Sequence, residues 1–151
     1  GQGRNSLYLA SLGCQISAVD TNAKFLQDLV DISVKEKLNL NIFKYEINEA
    51  NIKDTYDFIV ATDVFMYINP TRISSVIRNM QKQTNIGGYN LIVSALNTID
   101  IPAVPFPFTF IKNELLEYYA GWEIIKYEEY PKPTKNSSYP YVVLLAKKIE
   151  N

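Results

Sequence analysis

GQGRNSLYLASLG (1–13) decides how this chain folds. It begins Gly-x-Gly, a turn that lets a backbone come close to a bound cofactor, and such a turn follows a buried parallel strand that delivers it to the edge of a sheet. No strand precedes Gly1 in this sequence. Two readings stand at the outset: a glycine-rich cofactor loop whose supporting strand lies upstream, or an amino-terminal segment that merely begins with two glycines.

Working outward, Leu7, Leu9 and Leu12 with small residues between them predict a short helix over 4–12, and Gly13 stands where a glycine ends a helix. A strand over 15–19 follows and ends at Asp20. Leu26, Leu29, Val30 and Ser33 at helical spacing predict a helix over 22–36 with Asn22 as its cap. Strands are expected at 39–45 and 57–61. Ile73, Val76, Ile77 and Met80 make 71–84 the clearest helix, with Asn69 as cap and Pro70 in its first position.

Gly87-Gly88 reads as the join before YNLIVSAL (89–96), a near-continuous apolar run of the kind covered on both faces of a sheet. Strand and helix alternate, which implies a parallel sheet with crossover helices. The proline-rich 102–107 reads as a loop, and 113–119 as a helix stopped by Gly121. Strands at 122–128 and 140–147 are joined by 129–139, too short for a crossover helix and rich in turn formers, so this final pair is expected to be antiparallel.

The 151 residues suit one domain, which buries about two thirds of its unfolded surface. Fifteen Lys and Arg against 16 Asp and Glu give a formal charge of −1, so no electrostatic footprint for nucleic acid or an anionic membrane is present and a small-molecule partner is expected. The longest apolar runs, 91–96 and 141–146, fall far below the roughly 20 residues of a membrane span. The start shows no charged-then-apolar leader, and the single Cys14 suits a reducing compartment, so a cytoplasmic location is expected. Cys14 itself reads as a small buried hydrophobe at the mouth of a strand. Histidine is absent, which removes imidazole bases, His-ligated metal sites and Ser–His or Cys–His relays; no metal is expected and no catalytic base is assigned.

A cofactor loop at 1–3 needs an acid at the end of the next strand to accept hydrogen bonds from ribose hydroxyls, and Asp20 stands there. An acid in that place is equally often a helix cap or a loop residue. Ser6 occupies the position of the third glycine of the nicotinamide fingerprint, which weakens a dinucleotide reading.

Taken together, the Gly-x-Gly turn, Asp20, Glu46 after the next strand, YDFIVATDVFMYI (56–68), the Gly-Gly pair and the closing strand pair resemble the class I S-adenosylmethionine-dependent methyltransferases. More narrowly, GRNSLYLASLG, NMQKQTNIGGYNLIVSALNT, FPFTF and ELLEYYAGWEIIKYEE resemble the TehB tellurite-resistance methyltransferases, over residues 1 to about 130. The resemblance answers the opening question. It implies an α/β, Rossmann-like methyltransferase sheet with helices on both faces and a final antiparallel pair, in a single domain over 1–151 that begins inside the glycine-rich loop with its first strand upstream. The strand at 57–61 is then expected beside a gap or at a sheet edge where that first strand belongs, unpaired with 15–19.

The resemblance also implies S-adenosyl-L-methionine as cofactor. Gly1 and Gly3 match the turn around its methionine part, Asp20 with Thr21 the ribose-binding acid, Glu46 with Ile47 the pair bordering adenine, and Thr62 the residue closing over the cofactor. Arg4 matches an arginine that could orient an anionic substrate, and Phe106, Phe108 and Phe110 could wall a substrate pocket. The implied acceptor is a small nucleophile, a tellurite- or selenite-type oxyanion or a thiol. Methyl transfer from a sulfonium is an in-line displacement that rests mainly on positioning, so the lack of histidine is compatible with it.

Two departures stand out. Asp63 replaces an apolar residue and would repel an oxyanion, and a His-Arg pair common between the last strands is missing, with Lys132 and Lys135 in a shortened loop. A methyltransferase fold serving as a non-catalytic binding subunit is one alternative that accommodates these; a nicotinamide-dependent oxidoreductase is the other, disfavoured by Ser6. Oligomeric state is not legible.

Overall fold

The computed structural model describes residues 1–98, 105–135 and 137–150. The chain divides into two compact units, Gly1–Glu46 and Ile47–Asn151.

The first unit runs α1 (Arg4–Ser11), β1 (Ile16–Asp20), α2 (Ala23–Lys35) and β2 (Leu40–Lys44). Helix α1 ends as its sequence predicts: Gly13 takes φ +88°, its N–H donates to Ala10 O, and the Cys14 N–H donates to Leu9 O, a Schellman closure. That turn faces solvent, so Cys14 is exposed rather than buried at the strand mouth. Asn22 caps α2, its Oδ1 accepting from the amides of Lys24 and Phe25. Strands β1 and β2 pair in parallel with α2 as the crossover between them. The helix buries Leu29 and Ser33, whereas Val30, expected on the same face, is exposed.

The second unit builds a four-stranded sheet in the order β3-β4-β6-β5 from β3 (Tyr56–Thr62), β4 (Thr84–Ala95), β5 (Glu123–Tyr130) and β6 (Tyr141–Lys147). β3 and β4 are parallel and the last two strands antiparallel to their neighbours, and β3 forms an edge, as the sequence predicts. The expected helix over 71–84 divides: Asn69 Oδ1 caps a 3₁₀ turn at Pro70–Arg72, and α3 proper spans Ile73–Lys82, burying Ile73, Val76, Ile77 and Met80. A short α4, Glu114–Tyr118, follows β4. Of the expected proline loop, 102–104 lie outside the described residues and 105–107 have no regular structure.

Gly87-Gly88 corrects the sequence reading. The pair does not precede β4 but lies inside it: Tyr56 pairs with Thr84, the next pair is Phe58 with Tyr89, and residues 85–88 stand opposite Asp57 alone. Both glycines are required by this irregularity. Gly87 sits at φ +81°, and a Cβ on Gly88 would come within 2.8 Å of the Asp57 carbonyl oxygen.

One face of the sheet, carrying Ala61, Ile92, Val142, Leu144 and Ala146, makes the core with α3, α4, Phe65, Phe110 and Tyr119. Three polar side chains run through it as a closed chain. Tyr119 Oη donates to Asn90 Oδ1 at 2.8 Å, Asn90 Nδ2 to Thr84 Oγ1 at 2.6 Å, and Thr84 Oγ1 to Met80 O at 2.7 Å. Lys148, buried, donates to Gln81 O and Thr84 O just beyond the carboxyl end of α3, where the helix dipole favours a cation. Tyr119→Phe strands the Asn90 carbonyl in the core, so urea unfolding is expected to show a loss of about 1–3 kcal/mol; an unchanged midpoint would mean that the chain of bonds is not holding the core.

Candidate functional site

In the first unit, Gly1 lies against Asp20 where β1 ends, Thr21 follows, and Gly3 precedes α1. Gly3 holds φ +77° as the residue capping α1, and a Cβ there would lie 2.4 Å from Leu29 Cδ1. Gly3 is thus suited to glycine by its left-handed turn, with a Leu29 methyl close beside it. The backbone nitrogen of Gly1 lies against the Asp20 carboxylate, and the Asn22 amide donates to Asp20 Oδ1 at 2.8 Å. The Thr21 amide also donates to this carboxylate. Thr21 is exposed beside it, at the bend into α2. Arg4 opens α1, exposed, and its guanidinium makes no ion pair among the described residues.

Glu46, exposed, and Ile47, half-buried, leave the end of β2; Ile47 opens a 3₁₀ turn and packs on the core of the second unit. Thr62 is the last residue of β3, half-buried and paired with Val93.

The phenylalanines expected as one wall separate. Phe110 is fully buried in the core, edge-on to Phe108 at 4.8 Å, and Phe108 packs against that core as well. Only Phe106 turns elsewhere, set edge-on between Tyr67 at 5.7 Å and Tyr139 at 5.2 Å. The reason is local: Phe108 N–H donates to Met66 O and Phe110 bridges to Leu96, which draws the later residues of the loop inward.

Sequence reasoning missed Tyr67 and Tyr139. Tyr139 Oη donates to Asp63 Oδ1 at 3.0 Å across 76 residues of sequence, a pairing with no local signal. Asp63 stands directly after Thr62 in the left-handed region, φ +57°, its own N–H donating to Val93 O. Burial, the bond to Asp63, that residue's charge and Tyr67 push the Tyr139 hydroxyl up to about 12. Lys132 and Lys135 are exposed and form no ion pair among the described residues.

An open cleft of about 600 Å³ lies at the other ends of these strands, lined by Asp57, Phe58, Ile86, Gly87, Gly88, Tyr89 and Leu145. It is the poorer site. Its one carboxylate, Asp57, is occupied by Asn85 Nδ2 at 2.8 Å, and open α/β sheets bind ligands at the carboxyl ends of their strands instead. No grouping of His, Cys, Asp and Glu able to hold a metal occurs among the described residues.

Comparison with known proteins bears on these strand ends. The family model for "Tellurite resistance protein TehB" matches residues 1–133. The chain belongs to the TehB family. A Haemophilus influenzae relative named "Probable S-adenosyl-L-methionine-dependent methyltransferase TehB" is 52% identical over 130 residues, covering 85% of this chain and 46% of the relative. The crystal structure of TehB from Haemophilus influenzae superposes with a TM-score of 0.89 at 46% identity, over 98% of this chain and 55% of that one. A methyltransferase structure from Methanosarcina mazei reaches a TM-score of 0.81 at 16% identity, over 100% of this chain and 90% of that one, and shows the shared Rossmann-like methyltransferase fold. The chain spans about half the length of the curated TehB relatives it matches.

Replacing Asp63 tests the ring cluster of this TehB-family chain directly. Asp63→Asn removes a negative charge and a strong acceptor from Tyr139, so its phenol should titrate lower than in the parent chain, part of the way back from about 12 towards the ordinary value of 10. Ultraviolet or NMR titration reads the change, and an unmoved Tyr139 would show that the contact is not made in solution.

Proposed function

We propose that the chain is a methyltransferase that uses S-adenosyl-L-methionine to methylate a small nucleophile. The observation that carries this reading is Asp20: a carboxylate at the carboxyl end of β1, one oxygen taken by the Asn22 amide, in a TehB-family chain. A carboxylate in that place suits the two hydroxyls of a ribose. The donor set fits the cofactor: Gly1 and Gly3 would flank its methionine part, Asp20 and Thr21 the ribose, Glu46 and Ile47 the adenine, and Thr62 would close over it.

When bound, the cofactor supplies a methyl group on a sulfonium and leaves uncharged. The chain's own contribution is therefore orientation, which needs no histidine. Acceptors in keeping with the family are chalcogen oxyanions, as the tellurite-resistance name suggests, and thiols; Arg4, exposed at the start of α1 with no ion pair among the described residues, would be the residue to meet an anion. The lone, exposed Cys14 fits a reducing, cytoplasmic setting. No helix among the described residues is long and apolar enough to cross a membrane.

Hydrogen bonds to a charged acceptor contribute about 1.5–3 kcal/mol each. In the whole gene product, Asp20→Ala is expected to weaken S-adenosyl-L-methionine binding at least tenfold, since about 1.4 kcal/mol is one decade, while unfolding stability stays near the parent value. Calorimetric titration checks it. Equal affinities would remove Asp20 from the site.

A further inference from the structure

The segment that leaves β2 is held by residues distant in sequence. Ile47–Glu49 makes a single 3₁₀ turn, and the last carbonyls of so short a turn must find partners outside it. Arg72, the last residue of the 3₁₀ turn Pro70–Arg72, supplies them: its Nε donates to Asn48 O at 2.7 Å and its Nη2 to Glu49 O at 3.3 Å. The exchange is reciprocal, because the Asn69 N–H at the start of that second turn donates to Asn48 Oδ1 at 2.9 Å. These bonds clasp the two turns together across 21 to 24 residues of sequence, all within the second unit.

A guanidinium suits this place better than an ammonium. Its planar fork donates to two neighbouring carbonyls at once, whereas the ammonium of a lysine is a point charge on a flexible stem. A cation also complements the carboxyl end of a helical turn, where the carbonyl dipoles point. Just beyond the turn Ala50 takes φ +51°, a conformation that is costly for a residue with a Cβ and persists only where its surroundings fix it. Ile47, Ala50 and Ile52 pack against the core, and Asn79 of α3 holds the far end, its Oδ1 accepting from the Ile52 N–H at 2.7 Å and its Nδ2 donating to Ile52 O at 3.2 Å. The backbone of 47–52 is therefore set by side chains on α3 and on the turn before it.

We propose that Arg72 is a positioning residue for the adenine end of the cofactor: by tying down the carbonyls of Asn48 and Glu49, it holds Ile47, the residue proposed to border the base, in the conformation that binds. The inference rests on the methyl-transfer reading and adds to it a residue that acts through the loop and not on the cofactor itself. A border fixed before the ligand arrives avoids the ordering cost that binding otherwise carries, so loss of the clasp weakens binding of any ligand that carries the base.

Calorimetric titration of the whole gene product with two probes tests it. 5′-Methylthioadenosine carries the base and ribose, and S-adenosyl-L-methionine carries the amino-acid tail as well. Arg72→Ala should weaken both at least fivefold and by the same factor, and Arg72→Lys, which keeps the charge but not the fork, should recover part of the loss. Hydrogen exchange of Arg72→Ala without ligand should quicken at 47–52 and stay at the parent rate across α3 and β4. Unchanged affinity for both probes in Arg72→Ala would overturn the proposal. So would weakening of S-adenosyl-L-methionine alone, which would place the effect at the charged tail, or faster exchange throughout α3 and β4, which would make Arg72 a purely structural residue. A parent chain that binds neither probe refutes the methyl-transfer reading and this inference with it. A parent that binds both, with Asp20→Ala weakened and Arg72→Ala not, refutes only the role of Arg72.

Discussion

Parallel pairing is the constraint from which the remaining arrangement follows. Two strands can run side by side in the same direction only if the chain between them returns across the sheet, so each loop that leaves a strand departs from the same edge. In the first unit Asp20 is in register with Lys44, and the Tyr45 N–H donates to Asp20 O, so Thr21 and Glu46 emerge side by side. In the second, Thr62 is in register with Val93 and Asp63 continues the pairing by one bond. Because β6 is antiparallel to β4, it begins where β4 ends, and the Leu96 N–H donates to Pro140 O there. That reversal is what delivers Tyr139, distant in sequence, to Asp63.

The core and the strand-end residues occupy different parts of the second unit. The core lies on one sheet face under α3 and α4, and within it Tyr119, Asn90, Thr84 and the Met80 carbonyl satisfy one another, while Ser94 Oγ is buried without a hydrogen-bond partner. The bonded chain offsets the cost of taking its polar groups out of water. Thr62, Asp63, Tyr67 and Phe106 lie outside that chain of bonds, at the strand end or in the loops beyond it. Phe108 and Phe110, by contrast, are held by packing in the core.

Much of this was legible from sequence where the signal is local. Gly13 ended α1, Asn22 capped α2, the apolar spacing of Ile73 to Met80 marked α3, and the short turn-rich join before β6 required an antiparallel pair. The failures share a cause. Gly87-Gly88 is a strong turn signal, yet the strand begins before it at Thr84, because backbone pairing to Tyr56 and a close approach to Asp57 override local preference. Cys14 was misjudged because burial depends on which side of a turn faces the core, which spacing does not encode. The Asp63–Tyr139 contact and the parting of Phe106 from Phe108 are long-range consequences of topology, invisible to any window along the chain.

The central claim is that the cofactor binds at the carboxyl ends of the strands and not in the cleft at their other ends. Hydrogen exchange read by mass spectrometry, with and without S-adenosyl-L-methionine, tests this most directly. The account predicts slowed exchange in peptides covering 1–7, 20–25 and 45–49, and none at 56–58 or 85–89. Protection confined to 56–58 and 85–89 would place the ligand among Asp57, Phe58, Ile86 and Tyr89 and contradict it.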